Sequence, residues 1–178
     1  PMPPPMAMMP GMSELSPNTA PYLPASAATR DVSRTIRLRA GDTVNLTPRP
    51  FATTIDGKPV VMLGYNGMLP GPRLEVPQNA QITARVTSAL DGATSIHWHG
   101  IRLDNAFDGA VGLTQGAIEP GRSFDYSVRF PDAGVYWYHP HAREDMQQGL
   151  GLYGTIVVRS ASPNYYSTVN REEMLVLS

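Results

Sequence analysis

Between Arg34 and Arg159 apolar and polar residues alternate with a period of two, and Gly, Pro or Asp turns interrupt the alternation about every ten residues. Side chains at i and i+2 of an extended chain share one face, so segments of this kind bury a continuous side only as strands. Thr35-Ile36-Arg37-Leu38-Arg39 is the first, and Ala40-Gly41-Asp42 turns it into Thr43-Val44-Asn45-Leu46. Asp56-Gly57 predicts a hairpin joining 51–55 to 60–63. Further strands are expected over 73–76, 80–87, 123–130 and 154–159, with 64–72 as a loop. Helix signals are almost absent. Only 142–152 suits a short helical turn, and Gly149, Gly151 and Gly154 keep it short. Parallel α/β packing needs crossover helices that this pattern lacks. The expected fold is all-β, a sandwich or barrel.

At 178 residues the chain has room for one domain with tails, and we expect three parts. Residues 1–30 form an extended arm rich in Pro and carrying five of the nine methionines. Such an arm reads as a low-complexity lead-in, or as a thioether patch for Cu(I). Residues 31–160 form the β domain. Residues 161–178 form a linker and the first strand of a following domain, because the apolar run Met174-Leu175-Val176-Leu177 has no partner after it. The initial proline suggests a processed or trimmed start. With 14 Lys+Arg against 15 Asp+Glu, no basic field for nucleic acid is expected. No apolar run reaches the length of a bilayer span. The absence of cysteine rules out disulfides and thiolate metal sites within this chain.

All four histidines fall into two His-X-His pairs, Ser95-Ile96-His97-Trp98-His99-Gly100 and Tyr136-Trp137-Tyr138-His139-Pro140-His141. On a strand the two rings of a pair face the same way, about 6.5–7 Å apart along the backbone. Two facing pairs bring four nitrogen ligands to one volume, which suits one metal ion or several. Histidines merely satisfied in a β core would not cluster in this way. Zinc could take three or four of these nitrogens, but no His-Glu-x-x-His pattern accompanies them. Copper fits an all-imidazole set. Asp108, nine residues after His99, reads either as a turn aspartate before Gly109 or as an outer carboxylate that orients a ligand and moves protons. Asp104 is a weaker candidate. Glu144 and Asp145 read better as a solvated turn, and Trp98, Trp137, Tyr138 and Met146 as packing residues.

These two motifs, with Asp108-Gly109 between them, resemble the first cupredoxin domain of the multicopper oxidases, a family that includes laccases and bacterial copper or iron oxidases. Tyr65-Asn66-Gly67-Met68-Leu69-Pro70-Gly71-Pro72, Glu119-Pro120-Gly121 and Gly151-Leu152-Tyr153-Gly154 extend the resemblance over about 35–158. It implies a cupredoxin-like Greek-key β-sandwich. It implies that His97 ligates a type 2 copper, His99 and His139 one type 3 copper, and His141 the other, with Asp108 assisting proton delivery. The partner histidines and the cysteine of the type 1 copper would come from a C-terminal cupredoxin domain or segment, so this chain would hold half of a trinuclear cluster. The implied partners are O2 and a small reducing substrate, either a phenol or a metal ion such as Cu(I), Fe(II) or Mn(II). A periplasmic or secreted location is the family expectation. Two other readings stand beside it: a stand-alone copper-binding or carrier module, and a mononuclear zinc hydrolase.

Overall fold

The computed structural model describes residues 28–177, so most of the Pro/Met-rich arm expected over 1–30 lies outside the described residues. Ten strands make up the body: β1 (Thr35–Arg37), β2 (Thr43–Leu46), β3 (Pro48–Ile55), β4 (Lys58–Tyr65), β5 (Arg73–Pro77), β6 (Gln81–Thr87), β7 (His97–His99), β8 (Ser123–Arg129), β9 (Gly134–His139) and β10 (Gly154–Arg159). One helical turn, α1 (Glu144–Gln147), is shorter than the 142–152 stretch suggested. A 3-10 turn spans Asn105–Phe107.

The strands form a five-stranded sheet ordered β1-β5-β10-β9-β7, a three-stranded sheet β2-β6-β8, and the hairpin β3-β4. Asp56 and Gly57 both take positive φ, 50° and 75°, the backbone that a two-residue hairpin turn requires. Alternation becomes burial directly. Val44 and Leu46 of β2, Ile82, Ala84 and Val86 of β6, and Leu74 and Val76 of β5 all point inward. They close on Trp98, Tyr126, Val128, Tyr138 and Ile156 in one core between the sheets. Several partners are nonetheless parallel: β1 with β5, β5 with β10, and β2 with β6. No long helix makes these crossovers. The chain leaves the five-stranded sheet after β1 and again after β5, so each parallel pair within a sheet is joined through strands of another sheet rather than through a βαβ helix.

Two features of the five-stranded sheet position the site. β7 lies at its edge, and β9 joins it to the fully covered β10. Residues 171–177 make no strand. Arg159, already paired with Glu75 at 2.6 Å, also reaches Glu172 at 3.1 Å, and Met174–Leu177 helps wall a groove of about 730 Å³ beside Val135 and Trp137. Among the described residues no helix is long and apolar enough to cross a membrane.

Candidate metal centre

β7 and β9 pair antiparallel with His97 opposite His139, Trp98 opposite Tyr138 and His99 opposite Trp137. Alternation then sorts the two motifs. Trp98 and Tyr138 are fully buried and their rings meet at 5.9 Å. Tyr126 fastens the entry to β7 by accepting the Ile96 N–H at 2.9 Å, and Tyr138 donates to the Pro72 carbonyl at 2.7 Å. On the opposite face His97, His99 and His139 come together, with one ligand nitrogen of each inside a 4.8 Å circle. His141, past the strand end, stands outside that group, but its ring is 4.4 Å from that of His97 and nearly perpendicular to it.

The outer nitrogens have defined partners. His97 Nδ1 lies 2.8 Å from the main-chain oxygen of Asp108, His139 Nδ1 3.0 Å from that of Pro140, and His141 Nδ1 2.9 Å from the Glu144 carboxylate. Each acceptor places the ring proton on Nδ1 and leaves the Nε2 lone pair as the nitrogen that can ligate a metal. His99 differs, because its Nδ1 faces His139 Nε2 at 3.2 Å. Two imidazole nitrogens this close share one proton, which a metal ion would replace. The donor set therefore fits copper or another imidazole-seeking ion: four nitrogens, three of them oriented in advance and none tied up in the core.

Burial pulls the His139 imidazole down to about 4, and His97, His141 and His99 reinforce the shift against the Pro140 carbonyl. A ring that is neutral at all but acid pH is a ready ligand. In the unfolded chain it would titrate near its ordinary 6.5, so on acidification the unfolded state takes up this proton first. In the metal-free chain the contribution of this residue should thus be fully present above pH 6.5. The chain should lose on the order of 3 kcal/mol from this residue as the pH falls to about 4. Urea midpoints of wild type and His139→Gln across that range isolate the contribution. Parallel curves would refute it.

Several expectations change in detail. Asp108 meets His97 mainly through its backbone, its carboxylate oxygen standing 3.5 Å from Nδ1 and partly exposed. Asp104 caps the 3-10 turn by accepting the Ala106 N–H at 3.0 Å, so it serves the loop. Glu144 is no bystander of a solvated turn, while Asp145 pairs with Arg143. Trp137 does not enter the core; it stacks on His139 at 4.0 Å and 23° and touches His99 at 4.9 Å. Met146 is buried as expected. Ser95, in the first motif, and Gly109, between the two, take roles that their residue types do not announce. Ser95 Oγ accepts the His141 N–H at 3.0 Å, tying the two motifs together. Gly109, at φ 83°, lies so close to the backbone of Ile96 and His97 that no Cβ fits.

A family model described as multicopper oxidase matches residues 50–163, and the chain belongs to that family. Copper resistance protein A of Pseudomonas syringae pv. tomato is 37% identical over 131 residues, 74% of this chain and 21% of that protein. Multicopper oxidase MmcO of Mycobacterium tuberculosis is 37% identical over 151 residues, 83% of this chain and 29% of the relative. The crystal structure of a multicopper oxidase from Pseudomonas thermotolerans superposes with a TM-score of 0.68 at 36% identity, covering 71% of this chain and 32% of that one. The fold is accordingly the all-β, cupredoxin-like domain of these oxidases, and the chain spans less than a third of the length of these relatives.

Proposed function

We propose that this chain supplies one face of the trinuclear copper cluster of a laccase-like oxidase. The whole enzyme would couple one-electron oxidation of a reducing substrate to the four-electron, four-proton reduction of O2 to two waters. The observation that carries this reading is the ligand pattern: three imidazoles anchored at Nδ1, and a fourth whose Nδ1 faces Nε2 of His139 at 3.2 Å. That close pair supports His99 and His139 on one type 3 copper. His141 then serves the other, and His97 the type 2 ion. Copper, when bound, supplies the electron-accepting and O2-reducing chemistry. The protein's part is to hold the rings, keep His139 neutral and shield one side of the site with Trp137. Asp108, its backbone engaged by His97, keeps a partly exposed carboxylate to move protons beside the site.

The remaining ligands, including the cysteine of a type 1 copper, would come from a further cupredoxin segment in the same polypeptide or across a subunit interface. The relatives' names span copper resistance, laccase and L-ascorbate oxidase, which supports a metal ion or a small organic reductant as substrate. A periplasmic or secreted location accords with such a role. The carrier and zinc-hydrolase readings are not favoured by this kinship. The test is metal content and O2 uptake of the intact enzyme: about four coppers per chain, with the blue colour of a thiolate site, is expected. Zinc alone, without O2 uptake, would overturn the reading. Asp108→Asn should keep its copper, because a main-chain oxygen holds His97, yet slow O2 reduction by about 100-fold. Loss of copper instead would make the carboxylate a structural support.

A further inference from the structure

We propose that Glu144 is a positioning residue that fixes the tautomer and orientation of His141, an inference that rests on the copper site proposed above. Its Oε1 accepts from His141 Nδ1 at 2.9 Å across an i,i+3 step. The acceptors at His97 and His139 are backbone carbonyls, which any residue at positions 108 and 140 would offer. His141 alone of the three depends on a side chain.

The local chain is shaped to deliver that carboxylate. Arg143 takes the left-handed conformation, φ 46° and ψ 54°, which a non-glycine residue seldom adopts, and the turn it makes starts α1. Its guanidinium pairs twice with Asp145 at 3.0 Å. The acidic neighbour is thereby engaged, while Glu144 faces the imidazole. Gln147, 1% exposed, bolts α1 in place: its Oε1 accepts from Thr94 Oγ1 and its Nε2 donates to the Ala93 carbonyl, both at 2.8 Å. Thr94 is followed by Ser95, which holds the His141 amide. The helix that carries Glu144 is thus fixed to the segment that enters β7. A carboxylate in this place locks the ring, keeps Nε2 bare and raises its basicity as a ligand; losing such a group typically weakens metal binding about 10–100-fold.

The test reads the His141 tautomer in metal-free chain with isotope-labelled histidine, by proton–nitrogen correlation above the imidazole titration range. Copper(II) titration of the same samples follows. Wild type and Glu144→Gln, whose amide oxygen still accepts, should both hold the proton on Nδ1. Glu144→Ala should move it toward Nε2 and weaken copper binding roughly 10–100-fold. Glu119→Gln, an exposed carboxylate outside this device, should change neither readout. Should the alanine variant lose its fold, Glu144→Met keeps the bulk and gives the same comparison. An unchanged tautomer and affinity without the carboxylate would overturn the proposal, and so would a glutamine variant as impaired as alanine. A wild type that shows the Nδ1–H tautomer, while the intact enzyme carries no copper, would sink the oxidase reading and leave this role of Glu144 standing.

Discussion

Gly109→Ala is expected to cost about 3 kcal/mol or more and to strip the site of metal. An added Cβ would overlap the carbonyl of Ile96 and come within 2.9 Å of the His97 amide, at a φ of 83° that L-residues resist. Backbone cannot rotate away as a flexible side chain can. Either the 104–110 loop lifts, taking the Asp108 carbonyl from His97, or β7 shifts and unpairs from β9. Gly112→Ala is the control, since its φ is 80° but nothing lies within 4 Å of the new Cβ. Conformation alone should cost about 1 kcal/mol there. Denaturation midpoints and copper content of both variants decide the matter. Equal losses would show that the close approach at Gly109 does not matter.

His139→Ala should reduce copper affinity by at least about 100-fold, more than removal of an outer-shell partner would. The ring is the hub of the site: its Nε2 faces His99, Trp137 stacks upon it, and the rings of His97 and His141 lie 5.4 and 5.3 Å away. It is also 3% exposed, so truncation leaves a void beneath Trp137. His99→Ala, at the exposed end of β7, should lose metal with little loss of stability. Isothermal titration and urea midpoints separate the two effects. Copper bound undiminished by the His139 variant would place the metal elsewhere.

The sandwich and its hairpin were legible because period-two alternation and Asp56-Gly57 act locally. So were the four histidines, since strand geometry makes i and i+2 neighbours. What could not be read was non-local. Parallel pairing of β5 with β1 and β10 depends on the chain crossing between sheets, which no short window records. Trp137, as apolar as Trp98, sits on the histidine face because it is one residue out of phase with Tyr138. The residue type of Asp108 draws attention to its carboxylate, whereas its main-chain oxygen makes the close contact with His97, and a sequence does not say which oxygen points inward. Glu144 stands in a turn of charged residues, which usually faces water; its i,i+3 spacing from His141 is the signal that points the other way. The segment 171–177 touches Arg159 and the groove beside Val135, but it pairs with no strand among the described residues.

The register that sets His97 against His139 joins positions far apart in sequence. Bringing them together requires closing the whole span that contains β8, a slow contact in any chain of this topology. An ion can meet either His-X-His pair locally in a nascent or unfolded polypeptide, but holding both there means closing a 40-residue loop that the folded sheet closes in advance. The apolar core sets the β7–β9 register without metal, so copper is not needed to template this domain as zinc templates a zinc finger. The β architecture must form first, and loading becomes a later step in the protein's life. A cell that withholds copper should accumulate folded, empty protein rather than debris.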